Sequence, residues 1–185
     1  MLAHDRWATR VLLERCRPLT RDQFHQRFPI GVGERGGLHL TFTHILSARG
    51  RWADRIRGID PPRAALEPLP WAPPPGHPSP DARDRTVDEL LDLNDRTAAD
   101  LADALARSRA HGLGSTFPLK FPRPGGGATD YTFTRAAALT HVLTHAHWHR
   151  AQAVNMLRRL NVPGVSDGLP EIAVVEWQAE GEAYL

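Results

Sequence analysis

At 185 residues the chain is long enough to bury a core as one domain, 1–185, without disulfides or other staples. Hydrophobic residues make up 41% and charged residues 24%, as in ordinary globular proteins, and no apolar run approaches the roughly 20 residues of a membrane span. The net charge is only +2, although the isoelectric point is about 9.2. Acidic residues are interspersed among the arginines, so the densest basic cluster, Arg49, Arg51, Arg55 and Arg57, reads as a solvated helix face and not as a nucleic-acid surface.

The opening "MLAHDRWATRVLLERC" mixes both signs of charge with apolar residues at helical spacing. It lacks the uninterrupted apolar stretch of a signal peptide, and the single Cys16 cannot form an internal disulfide, so a cytoplasmic location is expected. A first helix is predicted over Leu2 to Arg17, stopped before Pro18, with Cys16 packed in the core. A second runs from Leu38 to Arg57, where Leu38, Phe42, Ile45, Trp52 and Ile56 recur at helical steps and Gly58 and Pro61 close it. Residues 61–80 carry too much proline for a helix or a central strand and read as an extended surface crossover. "TVDE" is a capping box, with Thr86 as cap and Glu89 three residues on, that starts a third helix reaching Ser108. Two β-prone pieces around Gly125 to Gly127 suggest a small hairpin. A fourth helix spans Thr134 to Leu160, and residues 161–185 form a tail that packs on the helices, with one short helix from Pro170. The fold class is therefore all-α: a four-helix bundle with long crossover loops.

The fourth helix holds "HVLTHAHWHRAQ", with four of the chain's 10 histidines in nine positions. His145 and His149 project from successive turns of one face, close enough to chelate one ion. A third ligand must come from another segment. His44 is the best candidate, because an imidazole on the flank of the apolar second helix needs a partner. The competing reading of each histidine is a hydrogen-bonded core residue. Position 146 is alanine where a zinc peptidase motif would need glutamate, which disfavours peptidase chemistry. His141 shares the face one turn earlier, either as a ligand in place of His145 or, on the preferred reading, as a residue behind a ligand or half-exposed. His147 points to solvent or to the other side of the bundle. His4, His25, His39, His77 and His111 read as ordinary surface histidines.

"THILSARGRWADRI" and, about a hundred residues later, "HVLTHAHWHRAQAVNMLRRLNVPGVSDG" resemble the DinB-like (DinB/YfiT) family, a bacterial metalloenzyme superfamily. "HDRWATRVLLERCRPLTRDQF" and "GGLHLTFTHIL" resemble its first helix and the lead into its second. The most specific part is a pattern like H-x-x-x-H-R-G-Q followed by a proline and an aspartate, here His145, His149, Arg150, Ala151, Gln152, Pro163 and Asp167, with alanine in place of the family's glycine. The resemblance implies a four-helix bundle with a divalent metal, zinc or nickel, held by His44, His145 and His149, and a homodimer.

Three neutral imidazoles leave a divalent ion its full charge and open positions for a small-molecule substrate, the pattern of catalytic sites. Such an ion acidifies water or a thiol. Some relatives look like transferases that activate a low-molecular-weight thiol, so the expected activity is a thiol-dependent S-transferase. Metal-dependent hydrolysis of a small amide or ester, and a non-catalytic metal-binding stress-response protein, are the alternatives. Arg150 either steers a reactant carboxylate or forms a surface ion pair. Gln152 serves behind a ligand, in helix packing or in catalysis. No recognition helix, stacking platform or basic stripe for nucleic acid is present, and no membrane partner is expected.

Overall fold

The structure, a computed structural model, describes residues 1–32, 36–68, 76, 78–122 and 128–180. Its elements in chain order are α1 (Leu2–Arg15), α2 (Arg21–His25), α3 (Leu38–Ile56), α4 (Val87–His111), β1 (Thr116–Pro122), β2 (Ala128–Thr134), α5 (Arg135–Leu160) and α6 (Val174–Glu180). The protein is mostly helical with one two-stranded antiparallel sheet. α3 packs against α4 and α5, and α1 packs against the same two helices from the other side. None of the described helices is long and apolar enough to cross a membrane.

The long helices begin and end where local chemistry dictates. Thr86 and Glu89 form the expected capping box, satisfying two backbone N–H groups at the start of α4. Thr134 caps α5 by accepting from the Ala137 N–H, and Asn161 ends it in the left-handed conformation at φ 51°. α1 ends before Pro18, and the short α2, absent from the sequence reading, has its own capping box of Thr20 and Gln23. The hairpin pairs Phe117 with Phe133 and Leu119 with Tyr131. Period-two alternation turns Phe117 and Leu119 inward and leaves Pro118 and Lys120 exposed. The expected turn at Gly125 to Gly127 lies outside the described residues, as do His77 and much of the proline crossover.

Two apolar clusters form the core. One gathers Leu12, Phe42, Leu46, Leu90, Met156 and Leu157; the other gathers Trp52, Ile56, Leu101, Phe117, Leu139 and Val142. Between the stretches that feed these clusters, each long helix contributes buried polar groups: Asp5 and Thr9 from α1, Ser47 and Arg49 from α3, Asn94 and Thr97 from α4, His149 and Arg150 from α5. Asp5, 3% exposed, is the hub. One carboxylate oxygen accepts from Arg49 Nη2 at 2.7 Å and the other accepts from Arg150 Nη1. Arg49 also donates to Asn94 Oδ1 at 2.8 Å and to Thr9 Oγ1 at 3.3 Å. A buried guanidinium is tolerable only when paired in this way.

This network overturns the reading of the arginine cluster as a solvated face: Arg49 is 1% exposed. Arg57 is half-buried on Asp54, which also holds Arg63 at the start of the crossover. The first part of the tail packs on α1 and α5, and its short helix begins at Val174, not at Pro170. Val165 is buried, Ser166 Oγ donates to Leu157 O at 2.7 Å, and Arg15 donates to Val165 O at 2.9 Å.

Asp5→Asn removes the charge that two buried guanidiniums share and should cost about 3–5 kcal/mol, read as a lowered urea midpoint. Arg107→Ala, which breaks an exposed pair with Asp103, should leave the midpoint nearly unchanged.

Candidate metal centre

The Asp5 network sets how α3 and α5 face each other, and the histidines follow. His44 lies on α3; His145 and His149 lie one turn apart on α5. One ring nitrogen from each lies within 4.8 Å of the other two. His44 Nε2 and His145 Nε2 are 3.0 Å apart. The ring centroids are separated by 4.9 Å for His44 and His145, 4.8 Å for His44 and His149, and 4.5 Å for His145 and His149.

Two of the three rings are fixed from behind. His44 Nδ1 donates to Glu67 Oε1 at 3.0 Å, and His149 Nδ1 donates to Gln152 Oε1 at 2.7 Å. Because these oxygens accept, each Nδ1 carries the proton and each Nε2 keeps its lone pair. Burial, reinforced by His44, His149 and His141, pushes His145 down to about 3. His149 is lowered by burial and by His44, against the opposing bond from Gln152. His44 Nε2, left as an acceptor, can take the proton of His145 Nε2 across the 3.0 Å between them, and a metal ion can replace that proton.

The donor set fits a divalent ion. Imidazole nitrogen suits zinc, nickel, copper and iron, and no cysteine or further carboxylate joins the group among the described residues. Glu67, 6% exposed, adds negative charge behind His44, and its Oε2 is buried with no hydrogen-bond partner among the described residues.

Glu67 escaped the sequence reading, which put the whole crossover on the surface. Arg63 ties one side of this segment to Asp54 at 2.8 Å. On the other side, Arg85 donates to Leu66 O at 3.2 Å and to Asp81 Oδ2 at 2.6 Å, while Leu66 N–H donates to Ser47 Oγ at 3.0 Å. These bonds turn Glu67 inward. A signal existed: Glu67 is the sole acidic residue among positions 61–80, set between apolar residues and prolines.

Arg150, expected at a reactant carboxylate or on the surface, does neither. It is 2% exposed with its guanidinium on Asp5, because a charge on that face of α5 points into the core and needs a buried partner. Gln152 holds His149. His141 is exposed, its ring 5.6 Å from His145 and 5.0 Å from Trp52, outside the three-histidine group. His147 is exposed. Cys16 is buried, its thiol pushed up by burial and donated to Leu12 O at 3.2 Å.

The DinB family matches residues 1–169 of the chain. The chain belongs to the DinB family. No curated protein and no solved structure matches it. In this DinB-family chain the matched span takes in His44, Glu67, His145, His149 and Gln152, together with the turn in which Gly164 N–H donates to Asp167 Oδ2, and it stops short of α6. Family membership and the histidine group together fit a metal-binding protein.

Two of the histidines assigned to the surface belong to a second group. His25 at the end of α2, His39 in the first turn of α3 and Asp84 just before α4 converge, each offering one ligand atom within 4.8 Å of the others. Burial, then the neighbouring His25, lowers His39 to about 4 against the pull of Asp84. His4 is likewise buried, with Nε2 2.9 Å from Ile172 O, while His111 is exposed as expected.

The folded, metal-free chain resists protonating His145, whereas the unfolded chain takes that proton near pH 6.5. Stability of the stripped protein should therefore fall as pH drops from about 6.5 towards 3. Thermal melting at pH 7 and pH 4.5 checks this: the wild type should lose more than His145→Gln over that interval.

Proposed function

We propose that this DinB-family chain is a divalent-metal-dependent enzyme, a four-helix bundle in which His44, His145 and His149 hold zinc or nickel, and that it transfers a low-molecular-weight thiol to a small electrophilic substrate. The observation that carries the reading is the convergence of three imidazoles, two of them braced by Glu67 and Gln152, with no fourth protein ligand in the group among the described residues. Structural zinc sites close their coordination with four protein ligands, and a three-ligand set leaves room for a reactant. A bound ion supplies Lewis acidity there, favouring the deprotonated form of a thiol or water.

The chain's own residues prepare the site. Glu67 and Gln152 keep Nε2 of His44 and His149 available, and the surroundings of His145 keep it neutral across the physiological range. The only cysteine, Cys16, is buried in helix packing, so the nucleophile has to arrive with a reactant. A cavity lined by Pro29, Ile30, Trp148, Gln152 and Asn155 lies on the Gln152 side of His149. Trp148 is 62% exposed, with its ring 5.2 Å from that of His149, and offers a flat apolar wall for a small substrate. With Arg150 locked on Asp5, an anionic reactant must find its anchor elsewhere. We further propose that the protein acts as a homodimer.

Elemental analysis of the purified protein, followed by assay of thiol-dependent loss of a chlorodinitroarene, tests the reading. His149→Ala should lose one equivalent of metal relative to wild type and lose the activity, and His141→Ala should keep both. Ester turnover without thiol would favour the hydrolase instead, and metal binding with neither activity would leave a binding protein. Glu67→Ala should weaken metal affinity about 10–100-fold, measured by chelator competition.

A further inference from the structure

We infer that His25, His39 and Asp84 form a second divalent-metal site, separate from the three-histidine centre. Their geometry already has the spacing of a metal's ligands. His25 Nε2 lies 3.0 Å and His39 Nε2 3.4 Å from the same oxygen, Oδ1 of Asp84. Tetrahedral ligands with bonds of about 2.0–2.1 Å are separated by about 3.3–3.4 Å, so both edges fall at or near that value. The rings stack with centroids 4.3 Å apart and planes 22° apart, and Phe24 meets both edge-on, at 6.0 Å and 5.6 Å, which limits their rotation. Asp84 is oriented as well, because Arg21 Nε donates to its Oδ2 at 2.9 Å and leaves Oδ1 to the imidazoles.

Arg85 N–H donates to His39 Nε2 at 3.2 Å, which makes this nitrogen an acceptor. The same nitrogen lies 3.4 Å from Asp84 Oδ1, so one ion can reach both atoms. An ion bound to all three atoms would take the place of the long bond from Arg85.

The donors come from three segments far apart in the chain, at positions 25, 39 and 84, so an ion here would clamp α2 and the start of α3 to the approach to α4. Two imidazoles and one carboxylate suit zinc, cobalt or nickel and do not suit magnesium or calcium, which take oxygen ligands. The ion can reach the site through a cleft bordered by His25, Asp84 and Asp88 together with Arg17 and Arg21, which pair with those two aspartates. His39 and His44 are five residues apart on α3, which turns them about 140° from each other around the helix axis. The two groups therefore lie on different faces and take their ions separately.

Zinc titration of the full-length, metal-stripped protein, followed by competition with a chromophoric chelator, tests this. The wild type should bind two equivalents, His145→Ala/His149→Ala one, and His25→Gln one. Asp84→Asn should match His25→Gln, and circular dichroism of each variant checks its fold. With cobalt(II) as the probe, the visible absorption of a tetrahedral site should persist in His145→Ala/His149→Ala and vanish when His25→Gln is added. A wild type that binds one equivalent, unchanged in His25→Gln, overturns the second site and leaves the first standing. One equivalent lost only in His25→Gln overturns the first and leaves the second. An equivalent in His145→Ala/His149→Ala that survives both His25→Gln and Asp84→Asn places the ion elsewhere and also overturns the proposal.

Discussion

One buried carboxylate holds the architecture together. Asp5 sits between Arg49 of α3 and Arg150 of α5, and Arg49 reaches on to Asn94 of α4. Apolar packing alone is indifferent to small sliding of one helix along another, because many registers bury similar area. A buried ion pair is not indifferent: moving either guanidinium away from Asp5 leaves an uncompensated charge in a low-dielectric interior. The network thus selects one register for α1, α3, α4 and α5. His149 adjoins Arg150 in sequence, and His44 lies five residues from Arg49. The register that satisfies Asp5 is also the one that brings His44 Nε2 to His145 Nε2.

The histidines then need orientation as well as proximity. An imidazole offers two nitrogens, and which one keeps its lone pair depends on the partner of the other. Glu67 and Gln152 settle this for His44 and His149, and they come from opposite kinds of source. Gln152 is three residues from His149 on the same helix, so its contact is local and follows from helical spacing. Glu67 arrives from a loop, and its contact depends on the arginines that pin that loop to α3 and to the residues before α4. The crossover is therefore part of the site's construction.

What could be read in the sequence divides along the same line. The four long helices to within a few residues at their ends, the capping box at Thr86, the hairpin strands and the stacking of His145 on His149 all follow from local spacing and match the structure, whereas the short α2 and the start of α6 do not. His44 was within reach because an imidazole inside an apolar helix signals an unmet need for a partner. Arg49 and Arg150 were not, since their shared partner is 44 and 145 residues away in the chain and nothing local separates a buried arginine from a solvated one. Arg150 was misread because it adjoins a histidine of the site, and adjacency on a helix is a turn of about 100° away from that histidine's direction.

His25, His39 and Asp84 sharpen this point. None belongs to a motif, and each alone has the neighbourhood of a surface residue. They meet because α2 folds back against the first turn of α3 while the crossover returns its far end to the same place, a consequence of chain path that spacing cannot encode. The three-histidine group is the reverse case, with two members preset by one helix and only His44 left to the tertiary fold. Two clusters with similar donor atoms thus differ in legibility for a geometric reason: a site is readable to the extent that its ligands share an element. Where every ligand comes from a different segment, the chemistry of the residues is visible in the sequence and their meeting is not.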